Sequence, residues 1–452
     1  MDRNLPVPDR RPTSDVSPAV GLVGLFALLA WVWIARDWAG IAEFWNLPGP
    51  REPMVGPNAA IAGLVFITIP MVAWSVFVDK VHRRPSTGID WSLAKTRKAD
   101  LETSLTKIAG LWATWAILVA LFCLCRWYWS GNYVYALKVL AVMGAAMVVL
   151  SVPYVLWLDR VMKNPRDHAW HFGAMLFMRD DWDAGEVKKH WRAWIIKGFF
   201  GAFMISIVPV NFANVVNADL YEFLSNPVVF AVVLINLLFL VDVMVGAVGY
   251  IVTLRPLDAH IRSGNPFLGG WLAALVCYPP FVWGILGNGQ VMSYEHNVGQ
   301  WHYWLDGNQV VLWIWAGVLV FLTAVYAWAT FAFGIRFSNL TYRGVLTNGP
   351  YRFTRHPAYL SKNLFWWCSV MPFLVVNGSM TDAIRNTFFL LCVNGIYYWR
   401  ARTEEAHLLA EDEKYREYYA WMGANGLITA PLSRLFRLFT PRAGAAAAQP
   451  AE

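Results

Sequence analysis

Apolar residues in this chain do not alternate with polar ones at the period of a strand; they come in long runs set apart by charged segments. A run of about 20 mainly apolar residues has the length of a helix that crosses a bilayer. Ten such runs predict spans at roughly 19–38, 59–78, 108–127, 135–157, 199–215, 228–253, 271–286, 310–333, 363–376 and 386–399. The last two are short and are expected to tilt or to sit half-buried against neighbours. The pattern therefore predicts an all-α fold, a polytopic transmembrane helical bundle of about ten spans.

The polar segments divide the chain into a tail (1–18), a six-span region (19–270), a four-span region (271–432) and a basic stretch (433–452) that turns Ala-rich and is expected to be disordered from Ala443. The segment 79–107 is polar and basic. In 158–198 charge mixes with Trp170, Trp182, Trp191 and Trp194, as expected of a stretch lying in the membrane interface. No fixed-period repeat is present.

Composition strengthens this picture. Hydrophobic residues make up 57% of the chain and charged ones 15%, with 26 tryptophans; a soluble domain carries about a quarter of its residues as charges. With the N-terminus placed inside, 32 of the 37 Lys and Arg residues fall in inside segments, and the outer connections 216–227 and 287–309 hold none. Basic residues accumulate on the cytoplasmic side, so both termini are expected there, in a multi-pass protein of a bacterial inner membrane or the endoplasmic reticulum. The net charge of +7 then reflects topology and attraction to anionic headgroups rather than nucleic acid. All five cysteines lie in or at the ends of apolar runs and read as small hydrophobes, not as a disulfide framework. Cys and carboxylates are not arranged around His168-x-x-His171 and His190 as a ligand set, and the segment reads as an interfacial belt, so no metal site is expected.

Polar groups are scarce here, so a dense cluster at a membrane boundary marks a candidate site. Gly349-Pro350-Tyr351-Arg352-Phe353-Thr354-Arg355-His356-Pro357-Ala358-Tyr359 is one such cluster, and Arg400 to Tyr419 is another. Gly349-Pro350 reads as a turn and His356-Pro357 as a helix start, because Pro is tolerated where its missing N–H costs nothing. The free amides and positive dipole end of that helix, beside Arg352, Arg355 and His356, suit a carboxylate or phosphate. Taken alone, Glu404, Glu405 and His407 also fit a solvated helix face whose carboxylates pair with Arg400, Arg402 or Lys414.

Together these segments resemble the isoprenylcysteine carboxyl methyltransferase and phospholipid methyltransferase superfamily. The resemblance rests on a GPYxxxRHPxY segment at Gly349 to Tyr359, an apolar hairpin at 363–399, and Arg402-Thr403-Glu404-Glu405-Ala406-His407-Leu408 followed by Tyr415 and Tyr418. It covers about the last 110 residues and implies an S-adenosylmethionine site at the cytosolic face. By resemblance, Arg355 and His356 would take the methionine carboxylate. Glu404 or Glu405 would take ribose or ammonium, and Tyr359 with nearby aromatics the adenine or sulfonium. Tyr351, Arg352, Pro357, Arg402 and His407 complete the implied cofactor site, with Arg355, His356 and Glu405 as the implied catalytic set.

About 330 residues precede the motif, more than small members of that superfamily carry, and this extension is expected to shape the acceptor cavity. The acceptor class is accordingly lipid-like, prenylated or otherwise amphipathic. Asp242, in the sixth predicted span, costs several kcal/mol unless paired or wetted and is a candidate for acceptor binding or for an Asp–Arg structural pair. Arg255, Arg336 and Asn339 join it as candidate acceptor contacts. Two other readings are an NADPH-dependent enzyme like the sterol reductases, which would need extra basic residues for a 2′-phosphate, and a non-enzymatic transporter or scaffold.

Overall fold

The computed structural model describes residues 5–98, 100–126, 128–287 and 291–439; the Ala-rich tail from Ala443 lies outside them. Among the described residues, seven helices are long and apolar enough to cross a membrane: α1 (Pro18–Arg36), α2 (Pro57–Val78), α3 (Leu101–Cys125), α4 (Gly131–Val161), α5 (Ala184–Val216), α6 (Pro227–Ile251) and α7 (Gln309–Phe331). Their starts are written in the sequence. Asn226 and Asn308 stand two residues ahead of apolar runs, while Asp100 and Asp183 stand eight and sixteen residues ahead of theirs; the side chains of all four accept from the first-turn amides of α3, α5, α6 and α7. Those amides have no intrahelical acceptor, so a side-chain oxygen there sets the boundary.

Three predicted spans take a different form. The run 271–286 is a helix only over Leu268–Leu275 and again over Val282–Ile285. Pro279 and Pro280 stand between them, and proline cannot donate the bonds that would join the two pieces. The run 363–376 ends early as α8 (Pro357–Val370), where Met371 takes a left-handed backbone (φ 49°) ahead of Pro372; a residue before proline is disfavoured in the helical region. The run 386–399 is the middle of a continuous 32-residue helix, α9 (Met380–Glu411). The second polar cluster thus continues the last apolar run without a break, and α10 (Glu413–Asn425) follows directly, capped by Asp412.

Buried side chains of α1, α2, α5 and α6, among them Leu28, Ile67, Phe200, Phe212 and Met244, form the largest core, joined by Ala327 of α7 and by Ile335 and Leu340 after it. In lipid such packing is driven by close contact more than by escape from water. The most apolar stretch of α4 is only 11% buried, and Val142, Val149 and Leu150 on it are exposed, which marks α4 as a peripheral helix facing lipid. Gly249 of α6 lets the chain after α7 press against the bundle, since a Cβ there would lie 2.3 Å from the Phe337 carbonyl oxygen. A two-residue antiparallel ladder, Ser263–Gly264 with Thr341–Tyr342, ties the loops that follow α6 and α7.

Helices α8 and α9 form the C-terminal hairpin. Asn394 of α9 donates to Asn363 of α8 at 2.7 Å and accepts from Trp367 at 2.8 Å, while Asn363 donates to the Tyr359 carbonyl at 2.7 Å. Interhelical amide bonds of this kind fix the register of two apolar helices whose lipid-facing sides carry no such information.

Candidate functional site

A cleft opens where the chain after α7, the starts of α8 and α10, and the polar end of α9 converge. It encloses about 1320 Å³ of empty space, open mouth included. Both polar clusters contribute to its wall: Tyr351, Arg355, His356 and Tyr359 from the first, Arg400, Glu404, His407, Tyr415 and Tyr418 from the second.

The first cluster is held by local geometry. Gly349 takes φ +56°, a left-handed conformation that glycine adopts without a Cβ penalty, and a Cβ there would approach Trp328 Nε1 to 3.1 Å. The turn it starts, Gly349–Arg352, carries the chain to Pro357 at the first position of α8. Tyr418 of α10 donates to the Tyr351 carbonyl at 2.6 Å and fastens that turn to the second cluster.

Glu405 is the hub that joins the two clusters. Its Oε1 accepts from Arg355 Nε at 2.7 Å and lies 3.0 Å from His356 Nε2, and its Oε2 accepts from Arg402 at 2.9 Å. Burial pushes this carboxyl up, but the His356 contact and the Arg355 and Arg402 charges prevail and hold it at about 2. The Glu405 side chain is 3% exposed and does not line the cleft, so it positions Arg355 and His356, which do. Arg355 also lies over the Tyr419 ring at 4.0 Å. One step back along α9, Glu404 reaches the cleft and accepts a short hydrogen bond from Tyr359. The Tyr359 ring stacks on His356, with centroids 5.7 Å apart.

Other named residues are more dispersed. His407 lines the cleft and sits 2.9 Å from Ser263 Oγ; burial and then Arg192 push it down to about 4, so it is neutral near pH 7. Arg336 lines the cleft with its charge met by Asp258 at 2.7 Å. Asn339 lines it as well, accepting from Arg400 at 3.2 Å and donating to the Tyr278 hydroxyl at 3.1 Å. Among the described residues no arginine pairs with Asp242; Thr330 and Tyr326 of α7 donate to it at 2.5 and 3.0 Å, and those two partners reach the cleft in its place. Arg352 points away, over the Phe353 ring. Arg255 lies outside the cleft, 3.9 Å from Asp167 and near the Thr87 carbonyl. Pro357 and Arg402 do not line the cleft.

Three cations that the motif pattern does not single out as ligands join the lining: Arg343, Lys362 and Arg400. Arg343 is spent on the backbone, donating to the carbonyls of Gly249, Phe337, Ala259 and Ile335. A lysine one turn inside α8, three positions after Tyr359, was the available sequence signal for Lys362.

Residues 284–421, which include both clusters and the hairpin, match a family described as a protein of unknown function (DUF1295). No curated protein and no solved structure matches the chain.

Proposed function

We propose that the chain is an integral membrane S-adenosylmethionine-dependent methyltransferase acting on a lipid-like or amphipathic acceptor at the cytoplasmic leaflet. The observation that carries this reading is the meeting of two polar segments, 45 to 50 residues apart, on one cleft through the Tyr359–Glu404 and Arg355–Glu405 contacts. The donor set suits such a ligand: a guanidinium and an imidazole for a carboxylate, a carboxylate for hydroxyls or an ammonium, and tyrosine rings for a cationic sulfur. When bound, S-adenosylmethionine supplies an electrophilic methyl group. The chain's own part is to align and to exclude water. Arg355 and His356, fixed by Glu405, receive the carboxylate; Glu404, oriented by Tyr359, receives ribose or ammonium; the burial of Tyr415 and Tyr418 keeps that wall dry.

A second reading is an NADPH-dependent reductase. Arg336, Arg343, Arg355, Lys362 and Arg400 line the cleft against the single carboxylate of Glu404, an excess that favours a polyanionic ligand. Arg336 and Arg343, however, are already engaged by Asp258 and by carbonyls.

Membranes containing or lacking this protein, supplied with methyl-labelled S-adenosylmethionine and then separated into lipid and protein fractions, test the proposal. Label that appears in the lipid fraction only with the protein supports it; no label in any fraction overturns it.

A further inference from the structure

Beyond α10 the chain forms a further helix of 11 residues, α11 (Thr429–Phe439). Its root is fastened to the first polar cluster: the Ile428 amide donates to the Phe353 carbonyl at 3.1 Å, and Thr429 Oγ1 donates to Thr354 Oγ1 at 3.3 Å. Thr354 and Phe353 stand three and four positions before Pro357, the first residue of α8. The root of α11 therefore sits at the level where the apolar hairpin begins. Pro431 falls in the first turn of α11, where an amide has no intrahelical acceptor to lose.

At 100° per residue, positions 432, 435, 436, 438 and 439, each Leu or Phe, fall on one arc of α11, and positions 429, 433, 434 and 437, Thr, Ser, Arg and Arg, fall on the other. A surface helix of a water-soluble domain turns its apolar arc toward the core. Here the order is reversed. Thr429 and Ala430 are buried against the protein, whereas Leu432 and Leu435 are 42% and 50% exposed, and Leu427 ahead of them 70%. The apolar arc thus looks away from the fold and needs a second apolar phase, and the one at hand is the bilayer that α8 and α9 enter. A helix of this pattern lies in the headgroup layer with its apolar side about 5–10 Å deep. The charge fits an anionic layer: between Glu417 and Glu452 the chain holds Arg434, Arg437 and Arg442 and no acid. Arg434 is exposed, and so is Arg352 beside the root, which the cleft does not use. Long basic side chains at such a border reach phosphates while their stems stay in apolar surroundings.

We propose that α11 lies on the anionic surface of the leaflet beside the two polar clusters, with Leu432 and Leu435 at the acyl boundary and Arg434 and Arg437 on lipid phosphates. Each basic residue held near such a surface strengthens attachment about five-fold. Ile428 and Thr429 grip Phe353 and Thr354, so an attached α11 steadies the turn from which Arg355 and His356 reach the cleft. The attachment is independent of the methyltransferase reading.

The test follows hydrogen–deuterium exchange of the full chain by mass spectrometry at pH 7 and low salt, in nanodiscs of phosphatidylcholine alone and of phosphatidylcholine with one third phosphatidylglycerol. Amides 432–439 are expected to exchange about ten-fold or more slowly in the anionic bilayer. Salt at about 1 M, which shortens the reach of charge to about 3 Å, removes the difference. Arg434→Gln with Arg437→Gln reduces it to within about three-fold, and Leu432→Ser with Leu435→Ser speeds exchange in both bilayers; exchange in α1–α7 stays unchanged in both double variants. Equal exchange of the unmodified chain in the two bilayers overturns the proposal without any variant: equally slow exchange gives the leucines a protein partner, and equally fast exchange leaves them in water. A lipid difference that persists at full size in the arginine double variant overturns it too, by placing the charge contact elsewhere.

Discussion

Arg355 Nε donates to Glu405 Oε1 at 2.7 Å, joining a residue two positions before the start of α8 to the polar end of α9, 50 positions later. His356 and Arg402 converge on the same carboxylate. The hairpin is thus closed at its polar end by one buried acid shared among three basic groups. Breaking such a pair by removing one partner is costly, because the charges left behind have lost their solvation.

Glu405→Gln keeps the shape and removes the charge. It is expected to lower stability by about 3 kcal/mol, seen as a drop in the thermal midpoint of the detergent-solubilised protein. Ligand affinity should fall as well, because Arg355 and His356 lose their orientation. An unchanged midpoint would show that Glu405 does not hold the hairpin.

Acid should loosen this end in two windows. Neutral His407 is held down to about 4 against an ordinary value near 6.5. The unfolded chain therefore takes up that proton first, and the stability due to a neutral His407 is complete above about 6.5 and lost as pH falls toward 4. Glu405, held at about 2, contributes fully above its ordinary value near 4.3 and loses that contribution only below it. Denaturation at pH 7, 6, 5 and 4 should show the upper window in the unmodified protein and a flatter profile in His407→Gln.

Much of this architecture is legible in the amino-acid sequence alone. Seven apolar runs lie in long helices; four have close to the expected length, whereas α3, α4 and α5 extend past their runs, α5 to 33 residues, because a helix continues through polar residues that an apolar run does not count. The misread runs had local signals too: Pro279-Pro280 inside 271–286, and Met371-Pro372 inside 363–376. The unbroken α9 was hidden by the change from apolar to charged residues at Arg400, which alters solvation and not backbone preference. Within the site, pairing was the illegible part. Glu404 and Glu405 are neighbours in sequence, yet one faces the cleft and the other faces three basic groups, because consecutive helical positions diverge by about 100°. The partners of Asp242 come from α7, a long-range contact that no spacing rule encodes.

Tyr359 supplies both a hydroxyl to Glu404 and a ring face to Arg400. Tyr359→Phe removes only the first and should cost about 1–2 kcal/mol. Tyr359→Leu removes both and should cost roughly another 1 kcal/mol. Chemical denaturation of the pair separates the two roles; equal costs would mean that the ring contact adds nothing.

Asp242 accepts from two α7 hydroxyls within a membrane-length helix. Asp242→Asn retains an acceptor and should be tolerated within about 1 kcal/mol, whereas Asp242→Leu strands both hydroxyls and should cost about 1–3 kcal/mol. The midpoints of the two variants check this order, and the reverse order would show that the carboxylate charge itself is required.

The central claim is that one cleft, walled by Arg355, His356, Tyr359 and Glu404, holds S-adenosylmethionine. Equilibrium dialysis of labelled S-adenosylmethionine against the purified full chain, with S-adenosylhomocysteine or NADPH as competitor, tests it most directly. The account predicts saturable binding that S-adenosylhomocysteine displaces, NADPH leaves in place and Glu404→Gln weakens about ten-fold. Binding of NADPH with no retention of S-adenosylmethionine would contradict it.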